Sequence, residues 1–252
     1  IRVLDVGQGD AIAVGTPGGR WFLVDTGAGS GERLARDLVR AGIPRLELLV
    51  LTHPDLDHMG AAADLLRTLP VAGVADGGVI RGTGAYRDVL AAAEEGGVPW
   101  RVLHRGTAWE ADGVAFRVLH PTGEPGGPDD PNDRSVVLLV SWGDFDVLLT
   151  GDVSVAVEEA LLPDLGPVEL LKVGHHGSRT STGDPLLERI RPRISVISVG
   201  RGNRFGHPAP EVLARLREKS GRILRTDRQG SVRIVGREDG SFTVAHEGKF
   251  PD

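Results

Sequence analysis

Four side chains able to bind a divalent metal stand within six residues of one another: His53, Asp55, Asp57 and His58, in the stretch Thr52-His53-Pro54-Asp55-Leu56-Asp57-His58. Imidazole nitrogen and carboxylate oxygen are the usual protein donors for zinc, manganese and related ions. Asp and His are also common in turns and helix caps, but two of each in alternation are hard to obtain that way. Companions lie further on. Leu148-Leu149-Thr150-Gly151-Asp152 ends an apolar run in a carboxylate, and Leu170-Leu171-Lys172-Val173-Gly174 runs into His175 and His176. Val196-Ile197-Ser198-Val199 leads within a few residues to His207. Each of these alone reads as a hydrogen-bonded turn residue. Four strand ends converging on Asp and His read as a metal centre. His104, His120 and His246 have no such setting and read as surface or turn residues. With no cysteine in the chain, thiolate ligands, disulfides and a thiol nucleophile are excluded.

The elements that must position these residues follow from apolar runs and periodicity. Strands are expected over residues 2–6, 11–14, 21–25, 46–51, 100–103, 114–120, 136–142, 144–149, 169–173, 194–199, 222–224, 232–235 and 242–245. Helices are expected over 32–41, 60–68, 86–95, 155–162, 185–191 and 211–219. Only Gly143 separates the strands 136–142 and 144–149, which reads as a hairpin. The Pro-, Gly- and Asp-rich segment 121–133 is expected to be a mobile loop. Strands followed by strand-helix units occur twice, which suits two sheets packed face to face with helices outside. The metal residues then sit where strands end, the usual place for sites in α/β sheets. Gly7-Gln8-Gly9 and Gly200-Arg201-Gly202 each lack the third glycine of a dinucleotide-binding loop, since Ile12 and Phe205 stand in its place.

Apolar and charged fractions of 40% and 25% are ordinary for a globular chain of 252 residues. There is no apolar run long enough to span a bilayer and no signal peptide. The chain opens at Ile1 within an expected strand, as a piece cut from something longer would. Net charge is −6, unevenly divided. Residues 172–252 carry 16 Lys or Arg against 9 Asp or Glu, whereas residues 1–171 carry 13 against 26. The basic part reads either as a solvated face or as the approach for an anionic substrate.

The order Leu23-Val24-Asp25-Thr26-Gly27, Thr52 to His58, Thr150-Gly151-Asp152 and a late histidine resembles the metallo-β-lactamase fold. More narrowly, Leu4-Asp5-Val6-Gly7-Gln8-Gly9-Asp10, Lys172-Val173-Gly174-His175-His176-Gly177-Ser178 and Asn203-Arg204-Phe205-Gly206-His207-Pro208 resemble the C-terminal domain of ComEC-type competence DNA-uptake proteins. The resemblance runs over nearly the whole chain. It implies an α/β fold of four layers, an αββα sandwich, built as one hydrolase domain over residues 1–252 and cut from a larger membrane protein. It also implies a deoxyribonuclease with DNA as partner and a membrane channel domain in cis. Such a domain is tethered at the extracytoplasmic face of a bacterial membrane, is soluble when isolated, and degrades the strand that is not transported.

The resemblance further implies two divalent ions. The usual pattern of the wider family has a second histidine where Asp55 stands here, and the separate histidine of the first site has no clear counterpart beyond Asn132 or Ser135. The implied ligands are His53, Asp55 and a bridging Asp152 for one ion, and Asp57, His58, Asp152 and a late histidine, favoured as His207, for the other. His175 or His176 is then left to meet the scissile phosphate or protonate the leaving group, and Asp25 braces the metal loop from behind. Ser178, Arg201 and Arg204 are candidates for substrate contact, the arginines alternatively pairing with the acidic part of the chain. The oxygen-rich first site favours Mn²⁺, with Zn²⁺ able to bind. Two other readings stay open: a small-molecule esterase of phosphorylcholine esterase or lactonase type, and a non-catalytic DNA-guiding module.

Overall fold

The computed structural model describes residues 1–123 and 130–247. The loop expected over 121–133 falls in part on residues 124–129, outside the described residues. In chain order the strands are β1 (Arg2–Val3), β2 (Ile12–Gly15), β3 (Trp21–Val24), β4 (Leu48–Leu51), β5 (Val74–Asp76), β6 (Trp100–Val102), β7 (Ala108–Ala111), β8 (Val114–His120), β9 (Val137–Trp142), β10 (Phe145–Leu149), β11 (Leu170–Lys172), β12 (Ile194–Ile197), β13 (Arg222–Arg225), β14 (Ser231–Gly236) and β15 (Phe242–Glu247). The helices are α1 (Gly31–Arg40), α2 (Leu56–Met59), α3 (Ala62–Thr68), α4 (Gly84–Glu95), α5 (Val155–Leu161), α6 (Asp184–Ile190), α7 (Pro210–Lys219) and α8 (Thr226–Gln229).

Two sheets result. One runs β15-β14-β1-β2-β3-β4-β5-β6 and the other β13-β12-β11-β10-β9-β8-β7. Each is antiparallel on one side and parallel on the other: β3 to β6 are parallel in the first, β10 to β13 in the second. Their inner faces meet in a core that includes Val14, Phe22, Phe116, Leu138, Val147 and Ile234. The outer face of the first sheet packs on Leu34 and Leu38 of α1, Leu65 of α3 and Val89 of α4. The outer face of the second packs on Leu161 of α5, Leu187 of α6 and Leu216 of α7. Helix, sheet, sheet and helix thus form the four layers of an αββα sandwich. Strands covered on both faces are apolar nearly throughout, as in Leu48–Leu51 and in Ile194–Ile197, where the buried Ser195 hydroxyl pairs with that of Ser220.

Differences from the expected elements have local causes. The helix expected over 60–68 is two: the backbone carbonyl of Asp55 accepts from the amides of His58 and Met59 to close the single turn α2, and the chain turns at Gly60 before α3. Asp57 and His58 therefore ride on a helix rather than a loop. Strands β5 and β7 carry too few apolar residues to be seen as runs, and they are held by pairing with β4 and β8.

The ring of Phe116 on β8 joins the two sheets. It lies 4.5 Å from Phe22 of β3 and stacks on Trp109 of β7 at 4.9 Å, with only 1% exposure. Truncation there leaves a cavity between two sheets that cannot collapse independently. Phe116→Ala is expected to cost about 3–5 kcal/mol, read as a shift in the urea midpoint.

Candidate metal centre

The carboxyl ends of β3, β4, β10 and β11 open on the same edge of the sandwich, and the side chains following them converge on Asp152. The Asp152 carboxylate is 3% exposed. Its Oδ2 lies 3.2 Å from His58 Nε2 and 3.7 Å from both His175 Nε2 and His176 Nε2. His176 Nε2 is also 3.4 Å from Asp57 Oδ2. Among the described residues three groups have ligand atoms within 4.8 Å of one another: His53, His58 and Asp152; Asp57, His58 and His176; and, behind the His58 ring, Asp10, Asp25 and His58.

Each imidazole is held from behind. Asp25, at the end of β3 with φ of 60°, accepts from the amide and hydroxyl of Thr52, both at 2.7 Å, and its Oδ2 lies 2.7 Å from His58 Nδ1. That contact turns His58 Nε2 toward Asp152. The Nδ1 of His53 meets the hydroxyls of Thr52 at 3.1 Å and Ser135 at 3.2 Å, and the Ser135 hydroxyl also accepts from the amide of Asp152. The Nδ1 of His176 donates to the carbonyl of Ser198 at 3.1 Å. His175 and His176 both adopt left-handed backbone, φ 48° and 54°, in a turn that places them on the site.

After these contacts the inward atoms remain without hydrogen-bond partners. They are His53 Nε2, His58 Nε2, His176 Nε2 and Asp152 Oδ1, all buried. Buried polar atoms are normally satisfied, and leaving several unpaired is costly. Three imidazole nitrogens and a carboxylate oxygen facing one another form a donor set suited to a divalent ion, so these residues fit the expected metal centre.

Charge distribution agrees. Burial works against ionisation of Asp152, but the nearby imidazoles of His58 and His176 hold its carboxyl well below the usual range. Burial likewise opposes protonation of His176, yet Asp152 and Asp10 raise it to about 9. Burial and the neighbouring His58 push His53 down to about 3, so that it is neutral and ready to ligate.

Other expected site residues lie further out. Asp55 is 4.0 Å from His53 Nε2 by one oxygen and 3.0 Å from the Arg81 guanidinium by the other. His207 stands outside these donor groups, with its ring 5.9 Å from that of His175 and stacked on Phe205. Ser178 is buried, its hydroxyl bonded to Thr180 and its amide to the His175 carbonyl, and the next helix starts only at Asp184. Arg201 and Arg204 are exposed; Arg201 donates to the Asp227 carbonyl and Arg204 lies over the Phe205 ring at 5.3 Å. Neither pairs with a carboxylate among the described residues. Ser135 backs His53 rather than facing the centre, and Asn132 lies in a short turn before it.

Two residues quoted within the motifs were given no role in the sequence reading. Asp10 and Lys172 are both 1% exposed and joined at 2.7 Å, beside His176. The available signal was a lysine inside the apolar run Leu170 to Val173, since a buried ammonium requires a partner.

In the metal-free protein, His176 with a pKa of about 9 against an ordinary 6.5 adds stability that is full below pH 6.5 and lost as pH rises through 9. Unfolding followed from pH 7 to 9 should show a loss on the order of 2–3 kcal/mol. Saturating divalent ion should remove or reverse the trend, because a ligating imidazole must be unprotonated. A flat metal-free profile would contradict this electrostatic picture.

The comparisons with known proteins agree with the geometry. A family model described as the metallo-beta-lactamase superfamily matches residues 4–201. ComE operon protein 3 of Bacillus subtilis is 34% identical over 97% of this chain, and the match covers 34% of that protein. Recombination protein 2 of Haemophilus influenzae and competence protein ComA of Neisseria gonorrhoeae are each 34% identical over 93% of this chain, covering 28% and 32% of those proteins. The chain thus spans about a third of the length of these curated relatives. Among solved structures, the metallo-beta-lactamase fold protein YhfI of Bacillus subtilis superposes with a TM-score of 0.56 at 11% identity, over 89% of this chain and 95% of that one. Zinc-bound PqqB of Methylobacterium extorquens gives 0.53 at 15% identity, over 85% and 83%. On its four-layer fold, its strand-end Asp and His residues and the match of residues 4–201, the chain belongs to the metallo-β-lactamase superfamily.

Proposed function

We propose that this chain is a two-metal deoxyribonuclease domain of a larger membrane-bound DNA-uptake protein, hydrolysing the strand that is not transported during natural transformation. The observation that carries the reading is the set of buried donor atoms left unpaired around Asp152, opening beside a loop that bears exposed arginines and an exposed aromatic ring. The names of the relatives, competence and recombination proteins, supply the link to DNA. The membrane channel is assigned to the rest of such a parent, because no helix among the described residues is long and apolar enough to cross a membrane. The extracytoplasmic location and the single-domain boundary 1–252 belong to the same proposal.

In this reading His53 and Asp152, with Asp55 nearby, hold one ion. Asp57, His58, Asp152 and His176 hold the other, His176 taking the place first given to His207 because its Nε2 reaches both carboxylates. When bound, the ions supply Lewis acidity and charge neutralisation at a phosphodiester. Asp152 draws both sets of donors together. His175, 26% exposed by side chain and held by Thr180, faces outward beside Asp152 and is placed to deliver a proton to a departing oxygen. Arg201 and Arg204 grip flanking phosphates, and Phe205, 54% exposed, offers a ring on which a base can stack. The chemistry needs no covalent nucleophile, and Ser178, two residues after the histidine pair in sequence, shares its hydroxyl with Thr180.

The test is cleavage of single- and double-stranded DNA by metal-free protein reloaded with Mn²⁺, Zn²⁺ or Mg²⁺. Mn²⁺ is expected to give the highest rate and a chelator to abolish it. Asp152→Ala and Asp57→Ala should each lose about 10³-fold or more in rate with the fold retained by circular dichroism. Undiminished cleavage by either variant would overturn the two-metal reading. Cleavage of small esters alone would replace it by the esterase reading, and maximal activity with Zn²⁺ but none with Mn²⁺ would overturn the choice of metal.

The double variant Arg201→Ala, Arg204→Ala should weaken DNA binding and lower the slope of log affinity against log salt by about two units. Hydrolysis of a small chromogenic phosphodiester, which does not reach the loop, should stay within about twofold, since contacts to phosphate position the strand rather than act on the reacting group. Equal loss on both substrates would mean that these arginines maintain the site itself.

A further inference from the structure

Lys172 closes β11, three residues before His175, and its ammonium is sealed from solvent. It has two partners: Asp10 Oδ2 at 2.7 Å and the carbonyl of Val173 at 2.9 Å. Asp10, equally buried, turns its other oxygen toward His176 Nδ1 at 3.3 Å. The amide of Asp10 donates to the carbonyl of Asp57 at 3.1 Å. The preceding residue, Gly9, is clamped by the Ser198 hydroxyl at 2.6 Å, and Ser198 is the residue whose carbonyl receives His176 Nδ1. Gly9 has φ of +129°, and a Cβ there would overlap the Asp57 carbonyl. Asp10 therefore touches the backs of two residues whose fronts, Asp57 Oδ2 and His176 Nε2, lie 3.4 Å apart.

Stability alone does not call for this arrangement. Two buried charges pay a desolvation penalty that well-packed apolar residues of similar volume avoid, so a buried pair is weak grounds for assigning a structural role. The Ser198 carbonyl already takes the hydrogen of His176 Nδ1; what an apolar pair cannot do is add a carboxylate behind that imidazole and strengthen its Nε2 as a donor.

We propose that Lys172 and Asp10 are a buried positioning pair that aims His176 Nε2 and Asp57 at the second metal pocket and thereby sets that pocket's affinity for a divalent ion. The inference rests on the reading of His176 and Asp57 as ligands given above. Asp10 does the aiming and Lys172 keeps its carboxylate charged in a site sealed from solvent. Neither residue touches substrate.

The experiment measures Mn²⁺ binding by calorimetry and thermal unfolding in the whole chain, without DNA. Lys172→Met alone strands a buried carboxylate and should lower the melting temperature sharply. The double variant Asp10→Asn, Lys172→Met removes both charges and should regain most of the lost melting temperature. Its affinity at the second pocket should nevertheless fall about 10–100-fold, with the first pocket unchanged. Asp10→Asn alone should show a fall in the same range, and Lys172→Arg should bind close to the parent; these two decide the matter if the double variant does not fold. If the double variant, or Asp10→Asn, binds two Mn²⁺ as tightly as the parent, the pair is merely structural and the proposal is overturned. The outcome is separable from the nuclease reading. A parent that cleaves no DNA, with variants that show the selective loss of ion binding, keeps this inference and loses that one. A parent that cleaves DNA, with variants of unaltered affinity, does the reverse.

Discussion

The interaction on which the rest of this structure depends is the enclosure of one carboxylate by imidazoles. Asp152 is nearly inaccessible, and its Oδ2 lies within 3.7 Å of ring nitrogens from His58, His175 and His176. In water such a carboxylate would be solvated; here the surrounding imidazoles hold it ionised, and it draws protons onto His58 and His176 in turn. The mutual attraction is strong only because water is excluded. Without a divalent ion the cluster is charged by protons, and an ion bound there would displace them. Metal affinity, stability and pH are therefore linked through one buried group.

Enclosure requires that several chain segments end at one place. The two sheets supply this by being half parallel. In the first, β3 and β4 run side by side and deliver Asp25 and the His53 to His58 segment to one edge. In the second, β10 and β11 run side by side and deliver Asp152 and the histidine pair to the same edge. Backbone bonds tie the ends together: Thr26 to the carbonyl of His58, His175 to that of Gly151, and Asp10 to that of Asp57. The antiparallel halves close the sandwich around Phe22, Phe116 and Trp109.

Much of this was legible in the residues. Uniformly apolar runs announced strands covered on both faces, and the family to which the chain belongs was recognisable from motifs that follow them. The ends of those strands could be read because Asp and His are rare immediately after buried Leu and Val. What could not be read was depth and direction. His207 and His176 are alike in sequence terms, each a histidine after a strand, but the left-handed turn at His175 and His176 brings the latter inside. Asp55 looks equivalent to Asp57 in the alternating motif, yet the single helical turn rotates Asp57 toward His176 and leaves Asp55 beside Arg81. Ser178 lies next to the histidines and is nevertheless spent on Thr180. The Asp10–Lys172 pair joins positions 162 residues apart, a distance no local pattern encodes, and its only local trace was a charge in an apolar strand.

The central claim is that the unpaired donors around Asp152 are the walls of a metal centre. Anomalous diffraction from crystals of the protein equilibrated with Mn²⁺ tests it most directly. The account predicts anomalous density within coordination distance of Asp152, shared between the side of His53 and the side of Asp57 and His176. Density confined to His207 or to surface carboxylates, with Asp152 left bare at saturating Mn²⁺, would contradict it.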